Sequence, residues 1–281
     1  MNEIIFELTS IRIEISFKSF DELRHRLSFC QNNNISKINI PCKNNLKKDF
    51  LLDSIKISRE EFPDIDVIPH FSILHEFKKN KINTLVSFME YLKAVKGFDC
   101  NEVLLVSGSQ KRSTLDSLST LRYLKENTLI PTNDFSIGVA FNPYLSGFLF
   151  EEEIIKLEKK IYSGFVKSIW IQFGTDCTLF ESRIEKIKEI IFLADKVNSR
   201  RSNIKLFGSI LIPSKQFLAK FKFRPWKGVY CSNDFLESVD FANDLVKNLL
   251  KIYKKYNICP IIETDVLSEK KLDELKLILK I

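Results

Sequence analysis

The chain contains no closely spaced cysteine pair. Its six cysteines, at positions 30, 42, 100, 177, 231 and 259, stand apart from one another and from any histidine cluster. A thiolate zinc site or a disulfide framework needs tighter or repeated spacings, so these residues read as reduced thiols, buried or incidental. Glycine and proline are scarce, eight of each in 281 residues, and no Ser/Gly-rich or low-complexity tract interrupts the chain. Nothing therefore marks a linker, and residues 1–281 read as a single domain. No stretch approaches the length of apolar chain that crosses a bilayer. The opening MNEIIFELTS carries Glu3 and Glu7 where a secretory leader would carry basic residues and then an apolar run, which implies a cytoplasmic protein with no membrane partner. GxGxxG, GxxxxGK[ST], GxSxG and HExxH are all missing, which removes the usual support for dinucleotide-fold, P-loop, hydrolase and zincin readings. Long blocks of like charge are missing too. The net charge of +7 comes from 43 basic and 36 acidic residues scattered along the chain, which argues against nucleic acid as a partner.

What is present is alternation. Short apolar runs of β-branched character alternate with longer segments in which apolar residues recur at three and four positions, the pattern of βα units. The strand candidates are IIFEL near Ile5, KINI ending at Ile40, DVIP before His70, VLLVSG ending at Gly108, FSIGVAF ending at Phe141, SIWIQF ending at Phe173, IKLFGSILI starting at Ile204, and CPIIE ending at Glu263. Between them lie amphipathic segments such as FDELRHRLSF, TLDSLSTLRYLKE, EEEIIKLEKKIYSG, LFESRIEKIKEIIFLADKV and SVDFANDLVKNLLKIYKKY. In EEEIIKLEKKIYSG the acids come first, the lysines late and Gly164 just beyond, in agreement with helix-dipole and C-cap preferences. Eight such units predict a single-domain α/β fold, the (β/α)₈ TIM barrel. The N-terminus is ambiguous, because IRIEIS around Glu14 competes with IIFEL as the first strand and decides which glutamate faces the barrel mouth.

Barrel chemistry sits at the C-terminal ends of strands. Those ends select Glu7, Pro41, His70, Ser107 to Gln110, Asn142, Gln172, Phe173, the stretch after Leu211, and Glu263. Few of these are strong bases or nucleophiles, so the chemistry would belong to a bound cofactor or substrate. A strand-end glutamate is more often solvated or paired than catalytic, and His70 reads more readily as a hydrogen-bonded structural residue than as a functional one. Gln172 offers both donor and acceptor, which suits recognition of a heterocycle edge. His25 and His75 receive no role.

Five segments in order resemble the methylenetetrahydrofolate reductase family across nearly the whole chain. IIFELTS resembles its N-terminal strand with a Phe-Glu pair, and IPHFS its His-Leu-Thr-Cys strand end. VLLVSGSQKRSTLDSLSTLRYL is similar to its leucine-rich strand, Gly-Asp turn and following helix. IGVAFNPY resembles the strand ending in a small-residue and Pro motif, and EEEIIKLEKKIYSGFVKSIWIQFGTD the helix, turn and Thr-Gln strand after it. The resemblance implies reduction of 5,10-methylenetetrahydrofolate to 5-methyltetrahydrofolate by NAD(P)H, in most members through bound FAD. It further implies Glu7 as the acid that protonates a folate nitrogen, and Gln172, Phe173 and Ser109 as substrate-binding residues. His70, Ser107, Gly108, Ser109, Gln110, Asn142, Lys156, Lys159 and Lys160 would hold the flavin. The small-molecule partner would be a folate, and a homo-oligomer is compatible with the family. Ser109 stands where the family has an aspartate that contacts flavin and pterin, Ile171 precedes Gln172 where a threonine is usual, and CPIIETD lacks the family's aromatic, Asn and Arg residues. Two other readings follow: a non-catalytic or repurposed barrel binding a folate, flavin or partner protein, and a flavin-independent reductase.

Overall fold

A computed structural model describes residues 5–42, 47–76, 81–107, 115–127, 135–198 and 203–280. After a 3₁₀ turn at Leu8–Ser10, strands and helices alternate: β1 (Arg12–Glu14), α1 (Phe20–Asn32), β2 (Lys37–Ile40), α2 (Lys48–Glu61), β3 (Asp66–Ser72), α3 (Ile73–Glu76), α4 (Lys81–Gly97), β4 (Glu102–Val106), α5 (Ser117–Glu126), β5 (Ser136–Phe141) and α6 (Gly147–Ile161). The order continues with β6 (Val166–Ile171), α7 (Cys177–Asn198), β7 (Lys205–Ile210), α8 (Lys215–Phe223), α9 (Asn233–Glu237), α10 (Val239–Tyr256), β8 (Ile258–Ile262) and α11 (Glu269–Ile278). The eight strands form a closed barrel in sequence order, so the chain is a (β/α)₈ TIM barrel.

Two compact units make up the chain, one of residues 13–140 and 159–168, the other of 1–12, 141–158 and 169–281. In the first, β2 pairs in parallel with β3, Ile40 beside Pro69, and β3 with β4, His70 beside Leu104. Phe71 packs on Phe88 and Tyr91 of α4, which fixes the outward parity of β3 and turns Ile68, His70 and Ser72 to its other face. On that same inner face Ser168 of β6 donates a short hydrogen bond to the carboxylate of Glu102 in β4. In the second unit Phe207 pairs with Cys259 across β7 and β8, and Trp170 of β6 lies against the Phe207 ring at 4.7 Å.

The helices show why the sequence pattern was readable. On α10 the buried residues Ala242, Val246, Leu249, Leu250, Tyr253 and Tyr256 recur at three and four positions. The Ser238 hydroxyl accepts the Phe241 N–H, and Asn257 closes the helix in the left-handed conformation, φ 56°. The main correction lies at the N-terminus. IRIE supplies β1, whereas IIFEL precedes it, and Ile5 N–H donates to Leu279 O, tying that segment to the C-terminal end of α11. β6 stops at Ile171, two residues before the expected Phe173, while β3 runs two residues beyond His70.

Candidate active site

Strand direction decides which candidates reach the catalytic end. Glu7 does not: it is exposed, precedes β1, and its carbonyl accepts from Ser10 N–H and Ser10 Oγ in the 3₁₀ turn. Ser10 O in turn accepts from Cys259, near the start of β8. Glu7 therefore lies at the entrance of β1, and Glu14 occupies the C-terminal end of that strand.

The flavin residues implied by the resemblance divide. Gly108, Ser109 and Gln110 lie outside the described residues. Ser107 follows β4 directly, and its hydroxyl is used at the start of α5, donating to Ser117 Oγ at 3.1 Å and accepting Ser117 N–H at 2.9 Å. Both ends of the Asn142 amide are engaged, Nδ2 donating to Gly228 O and Oδ1 accepting Tyr144 N–H, each at 2.9 Å. The three lysines lie in the second half of α6. α6 starts just after β5, so at 1.5 Å per residue Lys156 lies roughly 14 Å and Lys160 roughly 20 Å further along the helix. Lys156 faces Glu152 at 3.7 Å, Lys159 and Lys160 occupy the last turn where they complement the helix dipole, and Lys160 is buried. Of the residues that the resemblance assigns to FAD, Ser107 and Asn142 are thus hydrogen-bonded within the protein, and Lys156 faces a glutamate.

His70 is inside β3, 9% exposed, with its carbonyl accepting from the Tyr91 hydroxyl at 3.1 Å. Phe173 is a core residue, fully buried, its ring 5.7 Å from Phe235. Gln172 differs from both. Its backbone N–H is fixed by Phe141 O at 2.9 Å, immediately past β6, and its half-buried carboxamide makes no hydrogen bond among the described residues. It has the same parity as Trp170, so it belongs to the inner face.

Around Gln172 stands a frame that sequence reasoning missed. The Tyr144 hydroxyl donates to Gly174 O at 2.9 Å, and its ring lies nearly parallel to Tyr230 at 6.0 Å. Tyr230 O accepts Thr175 N–H, and Thr175 Oγ1 accepts Ser232 N–H at 2.8 Å. Burial holds the Tyr144 phenol well above its ordinary range, so it remains a donor. Gly174 is required here because a Cβ would enter the Tyr144 ring. One strand further, the Ser209 hydroxyl donates to Glu263 at 2.5 Å just beyond β8. A cleft of about 1000 Å³ opens between α8, α10 and α11, where Lys215, Lys247 and Lys270 are interspersed with Asp240 and Glu274, giving no field of one sign. Among the described residues no group of His, Cys, Asp and Glu is placed to hold a metal ion, and no helix is long and apolar enough to cross a membrane.

No protein-family model and no curated protein matches the chain. Solved structures do. One is 2,3-dimethylmalate lyase, a member of the PEP mutase/isocitrate lyase superfamily, at 9% identity, TM-score 0.53, and coverage of 92% of this chain and 75% of that one. A protein of Burkholderia cenocepacia J2315 described as a lyase/mutase follows at 10% identity, TM-score 0.51, with 94% and 78% covered. Another, described as 2,5-diketo-D-gluconic acid reductase B, gives 10% identity, TM-score 0.52, and coverage of 96% and 82%. At such identities the likeness is one of fold, and it agrees with the closed barrel.

Proposed function

We propose that the chain is a reductase of the folate one-carbon pool, converting 5,10-methylenetetrahydrofolate to 5-methyltetrahydrofolate with hydride taken directly from NAD(P)H. The observation that carries this reading is the carboxamide of Gln172, rigidly placed at the end of β6 and left with both donor and acceptor to offer a pterin edge. Direct hydride transfer is preferred to a flavin route because Ser107 and Asn142 spend their side chains on the protein and the three lysines lie at the far end of α6. The proton required to open the methylene bridge is assigned to Glu14, the glutamate at the end of β1.

The test is oxidation of NADH or NADPH by the purified protein with 5,10-methylenetetrahydrofolate, followed at 340 nm without added flavin. Turnover is expected in the colourless protein. Glu14→Gln should lower kcat by about 10²-fold or more, as loss of a general acid does. Gln172→Leu should raise KM by about tenfold, as loss of uniform binding does. Retention of FAD through gel filtration, with activity only in its presence, would replace the direct route by a flavin route. No oxidation of either nucleotide, with or without FAD, would favour the second reading, a barrel that binds a folate, flavin or partner protein without catalysis.

A further inference from the structure

Glu263 has no part in the chemistry proposed above. It stands just beyond β8, half-buried, and its Oε1 accepts the Ser209 hydroxyl of β7 at 2.5 Å. Its orientation follows from the neighbouring strands. Gly208 faces α10, where the Tyr253 ring fills the space of a Cβ, so Phe207 and Ser209 on either side of it point into the barrel. Trp170, on the inner face of β6, lies against the Phe207 ring and agrees with that parity. In the parallel ladder Ser209 stands beside Ile261, which puts Ile261 and then Glu263 on the same inner face.

The inner face of these three strands is layered. Trp170 and Phe207, both buried, close the lower layer with rings 4.7 Å apart. Above them, on neighbouring strands, stand Gln172 after β6, Ser209 on β7 and Glu263 after β8. Neighbouring strands lie about 4.8 Å apart, so the ends of β6 and β8 are separated by roughly 10 Å, enough for a two-ring heterocycle between carboxamide and carboxylate. A carboxylate only accepts, at two oxygens with about four lone-pair sites, so the single bond from Ser209 fixes it without filling it. The partner that fits such a group best presents two adjacent N–H donors in one plane, as an amidine edge does.

We propose that Glu263, positioned by Ser209, binds the amidine edge of the pterin ring, its 2-amino group and N3–H, above the floor of Trp170 and Phe207. It thereby selects 2-aminopteridines over ring systems that carry oxygen at that position. The identity of the ring rests on the reductase reading. Another edge of the ring is left to Gln172, and Glu263 binds without moving a proton.

The probes are pterin and lumazine, which has a carbonyl oxygen in place of the 2-amino group, each titrated calorimetrically into the full chain at pH 7 without nucleotide. Pterin is expected to bind at least about tenfold more tightly, because the lumazine oxygen would set two acceptors against each other. Glu263→Gln keeps the shape and removes the charge, so it should weaken pterin by at least about tenfold and leave lumazine within about threefold. Equal binding of the two probes by the unaltered chain, or an unchanged pterin affinity in a folded Glu263→Gln variant, overturns the assignment of Glu263. Binding of neither probe overturns it too. In each of these cases the oxidation of NADH or NADPH with 5,10-methylenetetrahydrofolate still decides the reductase reading separately. Should Glu263→Gln fail to fold, the ratio of pterin to lumazine affinity in the unaltered chain decides alone.

Discussion

Two glycines separate packing from conformation. Gly208 lies in β7 on the face that meets α10, where the fully buried Tyr253 ring occupies the space of a Cβ and its hydroxyl donates to Ser209 O at 3.1 Å. A methyl group there has nowhere to go, because the obstacle is a ring held at its hydroxyl and not a mobile chain end. Gly208→Ala should destabilise by about 1–3 kcal/mol, the usual range for overpacking a core. Gly97, at the end of α4, has no atom near its missing Cβ, so Gly97→Ala should be neutral or raise stability by up to about 1 kcal/mol. Urea denaturation of both variants checks the pair. Equal midpoints would mean that Tyr253 swings aside and that its hydrogen bond contributes little.

The helix starts were legible at the element scale because their signals are local. Asp116 in TLDSLSTL precedes α5 and caps it: its Oδ1 accepts Ser119 N–H at 2.7 Å, while Ser119 Oγ accepts Asp116 N–H at 2.9 Å. This reciprocal pair satisfies two donors that an uncapped helix leaves open. Asp116→Ala should cost about 1 kcal/mol and Asp116→Asn clearly less, since asparagine keeps the acceptor. Thermal melts read the difference, and equal losses in both variants would show that charge at the helix start matters more than the hydrogen bond. The first strand was less legible. IIFEL and IRIEI are both short, apolar and β-branched, and only the closed barrel, in which Ile13 pairs with Ile38, separates them. IIFEL as the first strand would make Glu7 the strand-end glutamate, whereas IRIE as β1 puts Glu14 there. The lysines of α6 entered through the family resemblance alone, and their distance from the strand end follows from helix direction, which a motif match does not encode.

Across the whole molecule, eight repeats of strand and helix were readable because each period is local, whereas side-chain meetings such as Cys42 with His75 and Tyr144 with Tyr230 depend on which loops become neighbours. Charge also acts at this scale. Glu61 accepts two hydrogen bonds from Arg24 at 2.7 and 2.8 Å, Glu181 accepts from Lys255 at 2.5 Å, and Glu22 accepts Lys18 N–H and the Arg26 guanidinium. Each partner holds its carboxyl below the ordinary carboxylate range. A carboxylate whose acidity is greater in the folded chain adds stability above its unfolded value, about 4.3 for Glu, and that contribution is lost as pH falls through the lower folded value. The chain already carries +7 near neutrality, so protonating its acids also adds repulsion in the compact state. The melting temperature should therefore fall between pH 7 and pH 4. Because these pairs are exposed, 0.5 M NaCl should shrink the difference by weakening the pairs at pH 7 and screening the repulsion at pH 4. Replacing both Glu61 and Glu181 with Gln should shrink it further. A melting temperature that stays constant or rises toward pH 4 would show that these carboxylates titrate alike in the folded and unfolded chain.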